Sequence, residues 1–476
     1  MIRRACAAVS HWEWLFLLFV LPLTFLGVAW QTAVLLILLL FWLLRRIGTG
    51  HFVPPTPLNT SLLLLLIMVL VSLWATFDMA FSFGKVVGVF YGVGIYFAWA
   101  DWSGRSAGRL AWAALGLLAA GLGVVGLSFL GTSWPRKLPL LGQVVAAVQA
   151  RIPARLLTLG GPDSGFNPNQ VAGVLLWVAP LALALVGIAV VDFGAMKRRL
   201  RWPTAVLLLL FLAGSFLTLT ASLLLTQSRG GLLGYGVGLL LMAGLALRRY
   251  WRWLAAGVAA AGLAAAILLS TQGASTVTTA VFAQVGIPTG DEAALADGIN
   301  TLNGRMEIWS RAIYGIQDFP FTGMGMNNFR RVVHILYPLF LISPDTDIAH
   351  AHNHLLQAAL DLGIPGLIAY LALWLGSAAM LWQVWRAAAQ QAQSRWYRAL
   401  VIGLAGSLAA YFVYGMLDTV ALGAKPGFIF WMLLGVAAGS QRVMLNRQEA
   451  AVSGPLPMGN DAPPTIAAKV DDERDA

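Results

Sequence analysis

KRRLRWPTAVLLLLFLAGSFLTLTASLLLTQSRGGLLGYGVGLLLMAGLALRRYWR, residues 197–252, decides the fold. It holds two apolar runs, about 204–226 and 230–247, each close to the roughly 20 residues an α-helix needs to cross a bilayer. One charge, Arg229, separates the runs, and basic clusters close both ends. Basic residues hold loops in the cytoplasm, so the stretch reads as two helices that cross, turn outside and return.

The same pattern continues in both directions. Of 476 residues, 59% are hydrophobic and 11% charged, where a soluble chain carries roughly a quarter charged. Lipid is therefore the solvent for most of the surface, and the 50 glycines suit helices that associate by close packing. The net charge of +11 is read as a topology signal rather than as nucleic-acid binding. A single cysteine, Cys6, excludes an intrachain disulfide and a cysteine-ligated zinc site. Arg3 and Arg4 before an apolar run imitate a signal peptide, but no small-residue cleavage site follows, so the run is read as an uncleaved helix.

The expected fold is all-α and polytopic, with about twelve transmembrane helices: 12–29, 31–45, 61–77, 81–99, 110–131, 170–191, 204–226, 230–247, 253–270, 363–385, 399–418 and 426–442. With the N-terminus inside, twenty of the 31 Lys and Arg residues fall in inner segments and ten in outer ones, with Lys85 inside a helix. Fusing the first two helices would put KRRLR, 197–201, outside, against the positive-inside rule. Two outer loops are long. The first, 132–169, contains LPLLGQVVAAVQARIPARLL, a candidate interfacial helix. The second, 271–362, is expected to be mainly helical and lies between helices 9 and 10. Residues 1–443 form one transmembrane domain, and the polar tail 444–476 reads as disordered and cytoplasmic.

Four clusters carry candidate chemistry. AHAHNHLLQAALDLGIPG, 349–366, holds three of the six histidines within five residues: His350, His352 and His354. In an extended strand all three share a face, as a metal site wants; in a helix only His350 and His354 do. LLQAAL predicts a helix starting in or near the run. A neutral imidazole can take a proton from a hydroxyl near neutral pH. Asn353 can orient a substrate or the ring, and Asp361 can hold a network or cap a boundary.

TQSRGG, 226–231, puts Arg229 in a short outer turn before a helix start. A guanidinium and open backbone N–H groups suit phosphate; the alternative is a snorkelling arginine. NGRMEIWSRAIYGIQDFPFTGMGMNNF, 303–329, predicts an amphipathic helix with an apolar stripe at Met306, Trp309 and Ile313. Arg305 is a second phosphate candidate, while Arg311 reads as a solvated charge that pairs with Glu307 at i,i+4. GFNPNQVAG, 165–173, offers Asn167 and Asn169 as turn and cap residues or as ligand contacts. Lys85 is read as snorkelling, with a phosphate role as the alternative, and Asp78 and Asp418 as solvated helix-end acids. No Walker loop, H-E-x-x-H motif or G-x-S-x-G elbow is present, and no inner loop is long enough for a soluble nucleotide-sugar domain.

In order and placement, FNPNQVAG, SRGG, GRMEIW with PFTGMGMNNF, and HAHNHLLQ…DLGIPG resemble the O-antigen ligase and polymerase superfamily of bacterial membrane glycosyltransferases. The likeness spans about 165–366. Asp361 stands where the family more often has Glu, and His354 is an additional histidine. The resemblance implies metal-independent, inverting transfer of a glycan from undecaprenyl diphosphate to a hydroxyl of a lipid, sugar or protein. The transfer would occur on the outer side of the cytoplasmic membrane, with both termini cytoplasmic. It implies His352 as the base, His350 as its supporting partner, and Arg229 and Arg305 as diphosphate ligands, with no cofactor, metal or nucleic acid. Asn353, Asp361, Asn167 and Asn169 would support the site. Ligase and polymerase stay open, since both need the same donor chemistry. Two other classes remain. One is a solute transporter of the inorganic-carbon type, which should gather polar groups at the midplane. The other is a membrane zinc hydrolase using His350, His352 and His354.

Overall fold

The computed structural model describes residues 1–132, 134, 139–151, 167–247, 302–390 and 395–452. Within them nine helices are long and apolar enough to cross a membrane. They become ten if the bent pair Ile2–Ser10 and Glu13–Phe25 is one span, and Asn59–Ala75 is a shorter apolar helix. The chain is a multi-pass membrane protein. The expected ninth helix, 253–270, lies outside the described residues, as do 152–166 and the tail from 453.

In chain order the helices are α1 Ile2–Ser10, α2 Glu13–Val20, α3 Val28–Thr49, α4 Asn59–Ser72, α5 Met79–Ser103, α6 Ala107–Gly131 and α7 Pro139–Gln149. Then come α8 Pro168–Leu176, α9 Ala179–Val191, α10 Phe193–Arg199, α11 Trp202–Leu225, α12 Arg229–Ala246, α13 Leu302–Asp318, α14 Phe329–Leu336, α15 His354–Ala389, α16 Arg395–Gly415 and α17 Phe428–Val452. Three boundaries differ from expectation. The first run is α2 followed by a tight 3-10 turn over Leu21–Phe25, where Pro22 removes a ladder donor. The 170–191 run is two helices that meet at Trp177–Val178, just before Pro180. The last helix continues to Val452, so 444–452 is helical rather than tail. Helix α7 stands where the candidate interfacial helix was expected.

Small residues set the packing. Along α5 and α17, Gly88 meets Gly423, Gly92 meets Trp431, Gly435 meets Trp99 and Gly439 meets Ser103. Both numbers rise together, so the two helices run in the same direction. Helices α12 and α16 run oppositely, Gly234 against Ala410 and Gly238 against Gly406. One end of the bundle is tied by a buried ion network. Arg45 bridges Glu13 and Asp101, and Asp101 also pairs with Arg105 and Arg442. Ends of α2, α3, α5 and α17 therefore share one side, as their predicted inner positions require.

The opposite end is capped by residues 302–353, which have a small core of their own. Ile308, Ala312, Met324, Phe329 and Val333 pack with Ile348 and Leu360. This corrects the expected stripe on α13. Met306 and Ile313 are exposed, and Ile308 and Ala312 face inward, because the start of α15 and the 324–342 segment cover that side. Arg305 shares the inward face, at i,i+3 with Ile308. The Glu307–Arg311 pair forms, at 3.5 Å. Glu307 also accepts the Phe340 and Leu341 N–H groups, and Arg311 donates to the Pro338 carbonyl. Arg311 is thus a staple for the 338–341 turn rather than a solvated charge.

Helix α15 breaks at Gly363, with φ 72° and ψ −180°, a region essentially only glycine occupies. Pro365 follows in the next turn. The freed groups are satisfied by the PFTG turn: Met324 N–H donates to Leu360 O and Ile364 N–H to Pro320 O, both at 2.7 Å. The GIPG motif is therefore the joint that locks the cap onto the bundle.

Candidate active site

The helix expected near the histidine run begins at His354, with Asn353 as its cap. Asn353 Oδ1 accepts the Leu355 and Leu356 N–H groups, and its Nδ2 donates to Met416 O at 3.4 Å. One asparagine thus both starts α15 and ties it to the 416–424 turn. That turn carries Asp418, only 4% exposed, which overturns its reading as a solvated acid.

Asp418 is where the histidines converge. Its Oδ1 lies 3.3 Å from His352 Nδ1 and 3.6 Å from His350 Nε2. The His352 contact is within hydrogen-bond distance but poorly aligned, as is common for catalytic pairs without substrate. His350 Nδ1 accepts the His352 N–H at 3.3 Å, which assigns the His350 proton to Nε2, facing Asp418. Burial, then the neighbouring His352, pushes His350 down to about 3, so it is neutral. Burial works to raise Asp418, but His352, His350 and the Thr419 N–H outweigh it and hold the carboxyl at about 2. An ionised Asp418 favours the proton of His352 on Nδ1, leaving the Nε2 lone pair open to take a proton.

Backbone strain concentrates here. Non-glycine residues with positive φ among the described residues are Gln227 at 49°, Asn327 at 67° and His352 at 49°. All three lie in the motif segments, and such strain clusters at functional sites. Each is held by neighbours. Asn327 N–H donates to Asp361 Oδ1, which also accepts from Gln357 Nε2, and Gln357 Oε1 accepts the Ala351 N–H. Asp361 therefore holds a network that presses the 324–328 turn against the histidine run.

His354 turns away from the other two. Its Nδ1 meets the Tyr370 hydroxyl at 2.9 Å, and Trp374, Tyr411 and Phe412 stand edge-on around the ring. The three-histidine set of the hydrolase reading is therefore not assembled. Instead His350, His352 and Asp418 bring one possible ligand atom each to within 4.8 Å of one another.

Arg305, half-buried on the inward face of α13, acts electrostatically on His350. Its Nε is buried with no hydrogen-bond partner among the described residues, a donor that an anion can satisfy. Arg229 opens α12 behind the cap residue Ser228, whose Oγ accepts the Gly231 N–H. Its neighbour Gly230 faces Tyr414 and Leu417, so the helix start adjoins the Asp418 turn. Asn167 is a helix cap, accepting the Gln170 N–H at 2.8 Å. Asn169 offers its backbone carbonyl to the Tyr414 hydroxyl at 2.6 Å. Neither asparagine side chain reaches the histidines in these contacts.

Residues 214–371 match the family model described as O-Antigen ligase. This segment is similar to the O-antigen ligase family. Arg229, Arg305, His350, His352, Asn353 and Asp361 lie inside the matched O-antigen ligase segment, whereas Asn167 and Asn169 precede it and Asp418 follows it. The match supports a glycosyltransferase-like function for this membrane protein. The chain matches no curated protein.

Sequence reasoning missed Asp418 and Gln357. For Asp418 a signal existed. GMLDTVALGAKP, 415–426, places one acid in a short turn between apolar helices, and a charge there needs a partner.

Proposed function

We propose that the protein transfers a glycan from undecaprenyl diphosphate to an acceptor hydroxyl on the outer side of the cytoplasmic membrane, with inversion and without a metal. The observation that carries the reading is the His352–Asp418 contact beside the Arg305 Nε donor. His352 Nε2 takes the proton of the acceptor hydroxyl, and Asp418 stabilises the imidazolium that forms. The acceptor oxygen forms the new bond to the anomeric carbon as its bond to the phosphate oxygen breaks. The electron pair leaves with the diphosphate, whose charge Arg305 and Arg229 neutralise. One displacement from the face opposite the leaving group inverts the centre. His350, held neutral, fixes the His352 backbone and adds no competing cation. The acceptor belongs to a lipid, a sugar or a protein. Both termini stand on the cytoplasmic side, with the cap outside. The candidate site's polar groups gather at the capped end of the bundle, which favours transfer over transport across the midplane.

The test is reconstitution in proteoliposomes with a lipid-linked glycan. His352→Ala, Asp418→Asn and Arg305→Ala should each abolish transfer while leaving membrane insertion intact; full activity in all three sinks the reading. The convergence of His350, His352 and Asp418 favours one rival, a divalent cation at that point. Loss of transfer on chelation, restored by added metal, would select it.

A further inference from the structure

The basic helix α10, Phe193–Arg199, joins α9 to α11 and packs on both. With α6 and the start of α16, these helices enclose a pocket of about 680 Å³, a volume typical of a formed ligand site. Its depth is apolar: Ala114, Leu185, Ala189 and Leu212 line it, and all four are buried. Its mouth is charged. Arg199, Arg395 and Asp192 stand there with the half-buried indole of Trp396. Arg395 donates to Asp192 at 3.0 Å, and both arginines are exposed. Lys197, Arg198 and Arg201 add exposed positive charge in the same segment.

The pocket lies at the end of the bundle opposite the histidines. Helix α16 runs from Arg395 to Gly415, just before the Asp418 turn. Helix α9 runs against it, with Gly403 meeting Leu181 and Ala184, and Arg395 pairing with Asp192. An occupant here is therefore not a reactant at His352. In the charge-derived topology this end faces the cytoplasm. Helix α6 adds a further anion-friendly feature. Its second residue, Gly108, lines the pocket and borders open space. The N–H groups of a first helical turn have no carbonyl partner within their helix, and with the helix dipole they favour an anion. Asp192 is the one carboxylate at the mouth, and Arg395 already answers it, so the excess charge is positive.

We propose that this pocket binds an anionic phospholipid of the cytoplasmic leaflet, its acyl chain among Ala114, Leu185, Ala189 and Leu212 and its phosphate at Arg199 and Arg395. Charge complementarity commits the occupant. A zwitterionic lipid fills the apolar depth equally well but carries no net charge to answer the basic segment. A free phosphate answers the charge and leaves the depth empty. Basic pockets between membrane helices on the cytoplasmic side take anionic head groups for the same reason. Trp396 suits the headgroup level, where indoles concentrate. The lipid binds only the folded bundle, so it stabilises the fold by mass action.

The test uses purified full-length protein in phosphatidylcholine nanodiscs with a trace of phosphatidylglycerol that carries a diazirine in one acyl chain. Crosslinks should map to α6 and α9 near Ala114 and Leu185. The same diazirine chain on phosphatidylcholine should label these positions about fivefold less, and millimolar inorganic phosphate should leave the labelling intact. Arg199→Gln with Arg395→Gln should cut labelling about fivefold, while Arg199→Lys with Arg395→Lys keeps most of it. Phosphatidylglycerol should raise the melting temperature of wild type and of the lysine pair, but not of the glutamine pair. If the glutamine pair melts early in phosphatidylcholine alone, the comparison of the two probes on wild type decides by itself. Equal labelling by both probes, displacement by inorganic phosphate, or crosslinks elsewhere overturns the proposal. Labelling needs no glycan donor, so the outcome is independent of the transferase reading.

Discussion

His352 holds φ at 49°, a conformation that costs a non-glycine residue about 1–3 kcal/mol. The cost is retained where it aims the ring at Asp418. His352→Ala keeps the Cβ and therefore the same backbone cost, so the variant should fold about as well as wild type while transfer falls about 10²- to 10⁴-fold, measured as initial rate beside a thermal melt. A melt that drops with the rate would make the residue structural. His350 makes a different prediction. Its folded value, about 3, lies below the unperturbed 6.5, so the unfolded chain binds the extra proton first. Its contribution to stability is present above about 6.5 and is lost as the pH falls toward 3. Asp418, lowered from 3.8 to about 2, loses its share in the same direction at still lower pH. Melting temperature should therefore fall between pH 7 and pH 4.5, and His350→Gln should flatten that fall; an unchanged slope excludes His350 as its source. At this scale the histidine run was legible, because three histidines in five residues are conspicuous. Asp418 was not, because a lone acid near a helix end has a bland alternative and its partners lie over sixty residues away.

One element, α13, was read with the right location and the wrong face. The periodicity of α13 identified a helix, but both Met306–Ile313 and Ile308–Ala312 are apolar at helical spacing, and only packing chooses between them. The 324–342 segment and α15 chose the second, which carries Arg305 inward. Helix α15 begins within the run, as LLQAAL predicted, and Asn353 fixes the start because an asparagine cap acts within three residues. Its break at Gly363 depends on partners far away in sequence. Gly363→Ala places a Cβ 2.5 Å from Phe321 O in a glycine-only conformation. It should cost about 1–3 kcal/mol and lower transfer by shifting the cap, read by thermal melt and rate together. A stable variant with full activity would mean that the joint does not position the site.

Across the whole molecule, the parallel run of α5 and α17 and the shared ion network agree with the charge-derived topology, in which both termini face the cytoplasm. In a Cys6→Ser background, cysteine at exposed Ser343 should react with a membrane-impermeant maleimide applied to the outer face. Cysteine at exposed Asn446 should react only after permeabilisation. Labelling in the reverse order would invert the protein and move the candidate site inside.

The sequence alone determined the solvent and most of the described helices, and it set the expectation for their sidedness. Hydrophobic run length and the placement of Lys and Arg are local quantities, and a bilayer reads them locally. It also marked short motifs that the fold brings together at the candidate site. Only the tertiary structure decided which residues meet: Asp418 with His352, Arg305 beside His350, Lys85 beneath Gly423. These pairings arise from glycine-mediated helix contacts and from a cap whose buried face was ambiguous in sequence. The polar groups there are satisfied by partners from distant turns, and no local pattern encodes a partner that is absent until the chain folds.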